Sequence, residues 1–383
     1  MDMLGGLTAT EFLRDYWQKK PLVIRQAFPG FQCPVSQDEL AGLACEEAVE
    51  SRIVIENDAG KPWQLHNGPF TPDRFSELPE QDWTLLVQGL DHWVPEIADL
   101  LDNFRFIPNW RLDDIMASYA PTGGSVGPHY DMYDVFLLQA QGHRRWTFGG
   151  HCDHRSPRVE GTPLRILSSW DGEETVTLAP GDMLYLPPGV GHHGVAEDDC
   201  ITLSVGFRAP TVDDVLTSFT DYLSQKEKAA EHLDDPDLQV QENPGTIGAD
   251  VVDRLDAVIR EQLGDRRNLA LWFGQFATAP KSMDIVVPAD EPAEPDDLAE
   301  AIRAGEQLRW NEGSRFSYHE LNDETALFVD GEQFLLKGDA RPLAPLLCAR
   351  SRIDMATLAE FAGDEALLGL LTNLYNQGSI YFE

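Results

Sequence analysis

Lysine is nearly missing from this chain. There are seven in 383 residues, within 29 basic side chains set against 65 acidic ones, for a net charge of −36. Nucleic-acid binding depends on neutralising phosphates with Lys and Arg, so this surface repels RNA and DNA and no direct nucleic-acid partner is expected. No run of about 18 apolar residues occurs, so no membrane partner is expected either. The opening Met1-Asp2-Met3-Leu4-Gly5-Gly6 lacks a basic region and an apolar core, so no signal peptide is expected. Cysteine is also scarce. Cys33, Cys45, Cys152, Cys200 and Cys348 are odd in number, scattered and without a C-x-x-C pair. That pattern argues against a disulfide framework or a zinc knuckle and for reduced thiols in a cytoplasm. The acidity has two readings: it would attract a basic protein, or it serves solubility in a saline cytoplasm and names no partner.

What is present is the composition of a globular protein, 42% hydrophobic and 25% charged. The most informative stretch is His129-Tyr130-Asp131, followed at a distance by His192 and His193 after Leu186-Pro187-Pro188-Gly189. Side chains two apart on a strand share a face, so His129 and Asp131 can enter one pocket while Tyr130 points away. Two histidines and one carboxylate form the facial set that holds non-haem Fe(II) and leaves positions open for a co-substrate and O2. His192 and His193 face opposite ways on a strand, and spacing does not choose between them.

A chain of this length suggests two or three domains. An amphipathic run at residues 10–17 predicts a short helix and Pro21–Ile24 a strand. Between about 111 and 208, short apolar runs are separated by Gly and Pro turns: Asp114–Tyr119, Asp134–Gln139, Arg144–Phe148, Thr175–Leu178, Met183–Leu186 and Cys200–Phe207. Regularly spaced short strands predict a sandwich or barrel. Joined to the metal motif they read as a double-stranded β-helix, the cupin-type jelly roll. After Pro210 the spacing becomes helical, with Val212, Val215, Leu216, Phe219, Tyr222 and Leu223 on one stripe and Val251, Val252, Leu255, Val258, Ile259 and Leu263 on another. Two such helices could pair subunits, or pack on their own barrel. Residues 288–297 are rich in Pro and acid and read as a linker. Beyond them come helices at Leu298–Ala304 and Met355–Phe361 and a hairpin, Ala326–Val329 and Gln333–Leu336, turning at Asp330-Gly331.

With these residues in place the chain resembles the JmjC-type cupin oxygenases, and among them the bacterial ribosomal oxygenases. The resemblance runs through Phe12–Val23, Ser125–Phe136, Pro180-Gly181-Asp182, Pro187-Pro188-Gly189 and Ser204–Pro210. It implies a mainly β fold with added helices, in three parts. These are a JmjC cupin catalytic domain with its N-terminal extension (1–210), a helical dimerisation region (211–285) and a winged-helix-like domain (286–383). It implies Fe(II), 2-oxoglutarate and O2, and hydroxylation of an arginine at C3 on a basic large-subunit ribosomal protein by a cytoplasmic homodimer. A JmjC-type oxygenase of another protein (a histidine hydroxylase or demethylase) and a non-catalytic acidic scaffold are the other readings. The resemblance makes His192 the distal metal ligand beside His129 and Asp131. It places Arg144 at the cation that holds the co-substrate's far carboxylate, a role suited to a bidentate, permanently charged guanidinium. Asp114, Met116, Tyr133 and Ser204 resemble substrate-binding residues. An arginine side chain asks for a carboxylate at its head and apolar walls along its stem, although Met116 and Tyr133 could equally pack a core.

Overall fold

The computed structural model describes residues 3–58, 60–208, 210–226, 232–281, 285–360 and 363–383. It forms two compact units: Met1–Ala209 with Ser282–Val287 and Trp310–Gly313, and Pro210–Lys281 with Pro288–Arg309 and Ser314–Glu383. Among the described residues no helix is long and apolar enough to cross a membrane.

In the first unit, helix α1 (Ala9–Asp15) starts where Thr8 and Glu11 cap each other's backbone N–H groups. Strand β1 (Leu22–Ile24), helix α2 (Gln37–Leu43), strands β2 (Ser51–Asp58) and β3 (Lys61–Asn67), helix α3 (Pro72–Ser76), strand β4 (Trp83–Val87) and helix α4 (Pro95–Ala98) follow. The barrel strands are β5 (Leu112–Ala120), β6 (Val135–Gln141), β7 (Arg144–His151), β8 (Glu174–Leu178), β9 (Met183–Leu186), β10 (Val190–Ala196) and β11 (Cys200–Phe207). Together with β1 to β4 they make an eight-stranded sheet ordered β1-β9-β6-β11-β5-β4-β2-β3 and a three-stranded sheet ordered β10-β7-β8. This is the double-stranded β-helix, or jelly roll, expected from the strand spacing. All six strands read from residues 111–208 are present; β10 is an addition.

Alternation along the large sheet separates two cores. Ile115, Ala117, Phe136, Leu138, Tyr185, Leu203 and Val205 face outward and pack under the N-terminal segment with Phe12, Phe104 and Ile24. Their neighbours Val135, Leu137, Leu184 and Leu186 face into the barrel and meet Trp146, Phe148 and Leu178 of the small sheet. One buried carboxylate ties the outer layer together. Asp134, fully buried, accepts from Tyr185 Oη (2.6 Å), Arg111 Nη2 (2.9 Å) and Gln18 Nε2 (3.0 Å). A charge with three donors tolerates burial that a lone carboxylate would not.

The second unit opens with helices α5 (Val212–Gln225), α6 (Ala249–Leu263) and α7 (Arg266–Thr278). The two expected helices are α5 and α6, whereas α7 was not anticipated. It packs on α5 through Trp272, whose Nε1 donates to Ser218 Oγ (3.0 Å) and whose ring lies 5.2 Å from Phe219. Helix α8 (Pro295–Ala304) begins inside the stretch read as linker, because Glu294 and Asp297 form a capping pair ahead of it and Pro295 fits its first turn. Strands β12 (Leu308–Trp310), β13 (Phe316–Glu320), β14 (Glu324–Val329) and β15 (Glu332–Lys337), helices α9 (Leu343–Cys348), α10 (Met355–Ala359) and α11 (Glu365–Asn376) and strand β16 (Ile380–Phe382) complete the unit. The helix expected to reach Phe361 is α10; Phe361 itself lies outside the described residues. The predicted hairpin is β14–β15, turning on Asp330 and Gly331 with φ of 50° and 85°, the left-handed pair that a two-residue hairpin loop needs.

Glu383 fastens β12 in this unit. Its carboxylate accepts from Arg352 Nη2 (2.8 Å) and Arg309 Nη1 (2.7 Å). These bonds, Arg352's first, hold its pKa down at about 2 from 4.5. A carboxylate depressed on folding stabilises above its unfolded pKa and loses that contribution as pH falls through the folded value. Glu383→Gln should therefore lower urea resistance by about 1 kcal/mol at neutral pH, allowing for partial exposure. The difference from wild type should shrink steadily between pH 4.5 and about 2; a gap that persists in acid would assign it to packing.

Candidate metal centre

The pair His129 and Asp131 was expected on a strand. It lies instead in the extended connection between β5 and β6, where only His129 forms a β-bridge. That bridge is made with His192. His129 N donates to the His192 carbonyl (2.9 Å) and His192 N donates to the His129 carbonyl (2.8 Å). Directly opposed residues in an antiparallel pair point the same way, so the two imidazoles stand side by side with centroids 4.2 Å apart. Gly189 N donates to the Asp131 carbonyl (2.7 Å), which brings the Pro-Pro-Gly turn against the same loop.

Each ring is fixed by its second nitrogen. His129 Nδ1 lies 2.9 Å from the Gly127 carbonyl and His192 Nδ1 lies 3.0 Å from the Val190 carbonyl. A carbonyl only accepts, so Nδ1 carries the proton and Nε2 presents a lone pair. His192 Nε2 is 3.6 Å from Asp131 Oδ2. Burial, then the adjacent His129, holds the His192 pKa down at about 4, so the ring is a neutral donor at physiological pH. His129, Asp131 and His192 offer three ligand atoms within 4.8 Å of one another. Two imidazole Nε2 atoms and a carboxylate, with Asp131 partly open to solvent, fit a divalent ion of intermediate softness such as Fe(II). His193 pairs with Thr147 on the opposite face of β10 and stands outside this cluster.

Beside the cluster, the register of β10 on β7 sets Phe148 opposite His192, Trp146 opposite Gly194 and Arg144 opposite Ala196. All three β7 side chains therefore enter the barrel. Arg144 is 3% exposed, and its Nε and Nη2 have no hydrogen-bond partner. A buried cation with unfilled donors is the complement of a small anion, and a dicarboxylate such as 2-oxoglutarate fits it. The segment between β7 and β8 closes over this end. Trp170 Nε1 donates to the Gly149 carbonyl (2.9 Å), and its indole fills the space a Cβ at Gly191 would need. Leu167 N donates to the Pro128 carbonyl (2.8 Å), and Arg158 Nη2 donates to Tyr130 Oη (3.0 Å).

Asp114 and Met116 alternate with the outward Ile115 and Ala117, so they share the barrel face. Ser204 lies opposite Met116 on β11 and opposite the inward Leu137 on β6. Asp114 is buried, and its Oδ2 accepts from Gln88 Nε2 (2.8 Å), which is itself held by Arg52 through Gln88 Oε1 (3.1 Å). Tyr133 is 44% exposed. Desolvation first, then Asp131 and Asp114, push its pKa above the ordinary range. Gln88, Trp146 and the Gly191–Trp170 contact escaped the sequence reading. Only Trp146 carried a signal, standing two residues after Arg144 and so on its face.

The JmjC domain model matches residues 99–215 and a ROXA-like winged-helix model matches residues 260–381. The chain is 35% identical over 379 residues to the ribosomal protein uL16 3-hydroxylase of Escherichia coli, covering 97% of both. It is 34% identical over 337 residues to a probable ribosomal oxygenase of Haemophilus influenzae, covering 85% of this chain and 82% of that one. The structure superposes on YcfD, a ribosomal oxygenase from Escherichia coli in complex with cobalt and 2-oxoglutarate, with a TM-score of 0.87, 34% identity and 99% of each chain covered.

The two adjacent histidines separate in a metal titration. Calorimetry with Mn(II) should show His192→Ala losing at least about tenfold in affinity, as removal of a ligand does, and His193→Ala binding like wild type. Equal losses would break the assignment of faces.

Proposed function

The chain belongs to the JmjC-domain ribosomal oxygenases, and we propose that it hydroxylates C3 of an arginine on ribosomal protein uL16 with Fe(II), 2-oxoglutarate and O2. One arrangement carries the reading: the His129, Asp131 and His192 donors share a barrel interior with the buried Arg144 guanidinium, whose Nε and Nη2 have no hydrogen-bond partner. When bound, the iron supplies the activation of O2, while oxidation of 2-oxoglutarate to succinate and CO2 supplies the two electrons the reaction needs.

The protein's own residues bind, orient and exclude. The carbonyls of Gly127 and Val190 keep the Nε2 atoms of His129 and His192 turned to the metal, and Asp131 contributes one oxygen. Arg144 holds the far carboxylate of 2-oxoglutarate at a fixed depth, which sets where the keto acid end can lie. The surrounding Leu137, Trp146, Phe148 and Leu184 keep water out of that end. Asp114 receives the substrate guanidinium. The bond from Gln88 holds its carboxylate in one rotamer. Met116 and Tyr133 line the aliphatic stem, and Ser204 closes the floor beside Met116. The net charge of −36 draws a basic ribosomal protein toward the mouth and favours fast encounter. The place of action is the cytoplasm, where that substrate is made.

We further propose that the working form is a homodimer paired through the helical region. Helix α6 has no buried residue, and Val252, Leu255, Val258 and Ile259 on one face are each 44–55% exposed. An apolar stripe of this kind asks for a partner, and a second copy supplies an identical one.

Recombinant uL16 incubated with enzyme, Fe(II) and 2-oxoglutarate should gain the mass of one oxygen on an arginine. His129→Ala should abolish the gain, and Asp114→Ala should weaken uL16 binding while 2-oxoglutarate binding holds. No added oxygen with wild type would sink the assignment. Light scattering tests the dimer: Leu255→Glu with Ile259→Glu should reduce the mass from two chains to one.

A further inference from the structure

Arg144 is not the only donor left over inside the barrel. Trp146, on the same face of β7, is 5% exposed, and its indole Nε1 also has no hydrogen-bond partner. The orientation of that ring is set by its neighbours. A Cβ at Gly194 would lie 2.7 Å from Cη2 and Cζ3 of Trp146, so the benzo edge rests on the backbone of β10. The pyrrole edge, with the N–H, is then turned away from that strand, and the ring centre lies 6.0 Å from His192 and 5.8 Å from the Arg144 guanidinium carbon.

A guanidinium and an indole N–H are both donors and never acceptors, so neither can satisfy the other. Each unfilled buried donor keeps its desolvation cost. Two such groups side by side in one interior ask for acceptors that reach both. A hydrophobic guest would leave both costs standing, and a cation would add repulsion. A carboxylate, with two oxygens and about four acceptor sites, meets the requirement.

We propose that the Trp146 indole N–H is a second donor to the distal carboxylate of 2-oxoglutarate, acting beside Arg144. The inference rests on the co-substrate reading above and deepens it. Arg144 fixes the charge of the ligand's far end. Trp146 fixes the rotation of that carboxylate, and hence which 2-oxo acids the barrel accepts: five-carbon dicarboxylates are retained and monocarboxylates are refused.

Trp146→Phe removes the donor and keeps most of the ring. In Mn(II)-loaded protein, calorimetry should show the Kd for 2-oxoglutarate rising about tenfold, the effect of one hydrogen bond to a charged acceptor. Mn(II) affinity itself should be unchanged. Pyruvate, which keeps the chelating keto acid but lacks the distal carboxylate, should bind wild type and variant equally weakly. A variant that binds 2-oxoglutarate like wild type, or that weakens pyruvate by the same factor, overturns the proposal, because the tryptophan would then act by packing alone.

A second readout needs no variant. In Zn(II)-loaded wild type labelled with 15N at the indoles, one of the nine tryptophan Nε1–H resonances should move downfield with 2-oxoglutarate and stay in place with pyruvate. Nine unmoved resonances in a protein that demonstrably binds 2-oxoglutarate would also overturn it. Failure of wild type to bind 2-oxoglutarate at all is a separate result, and it would refute the co-substrate reading first.

Discussion

Everything catalytic in this molecule hangs on two backbone hydrogen bonds between His129 and His192. These residues are 63 positions apart, and the pair of bonds at 2.9 and 2.8 Å joins the β5–β6 connection to β10 beside the Pro-Pro-Gly turn. Because opposed residues in an antiparallel pair present their side chains on the same side, the bridge delivers both imidazoles to one spot without any strand having to carry the H-x-D motif. The surroundings defend that point of contact. Leu167 N holds the Pro128 carbonyl, Gly189 N holds the Asp131 carbonyl, and the Trp170 indole takes the volume a side chain at residue 191 would occupy. The loop is therefore tied on both sides of the bridge and pressed from above.

The bridge can work only if β10 is in phase. A one-residue slip on a strand exchanges every inward side chain for an outward one, and here it would put His193 into the barrel. The phase is set on the neighbouring strand. Between Val190 and His192 the pairing on β7 skips from His151 to Phe148, so β7 carries an extra residue at Gly149-Gly150. Both glycines have positive φ, 125° and 69°, which the bulge requires and which other residues adopt poorly. The same offset sends Arg144, Trp146 and Phe148 inward. One irregularity thus sets His192 on the same interior side as Arg144 and Trp146.

This explains what the sequence could and could not disclose. The strands between 111 and 208 were legible because each is an apolar run bounded by Gly or Pro, and the Asp330-Gly331 turn was legible because its residues tolerate left-handed backbone. His129 and Asp131 were legible as a pair, but not their setting: a loop held by one bridge has no periodicity to read. The choice of His192 over His193 could not follow from spacing, since it depends on a bulge in a different strand. Helix α7 was hidden because its apolar residues run almost continuously from Leu269 to Ala277, leaving no stripe to count. Gln88 was hidden because its partner Asp114 is 26 positions away.

Charge bookkeeping inside the barrel gives a reason for the order in which its parts belong together. The His192 ring is neutral, and the buried Arg144 guanidinium carries a positive charge. A divalent ion on the three ligands would add to that positive charge in a medium that penalises it. A dicarboxylate brings two negative charges, one to each end of the same cavity. The ion and the co-substrate therefore favour each other's binding, and a monocarboxylate leaves Arg144 as exposed to its desolvation cost as before. The same argument accounts for arginine at position 144. A buried lysine could shed its proton and escape the cost, whereas a guanidinium stays charged in any protein environment. A buried guanidinium with Nε and Nη2 unfilled thus asks for an anion, which is the role proposed above for the far carboxylate of 2-oxoglutarate.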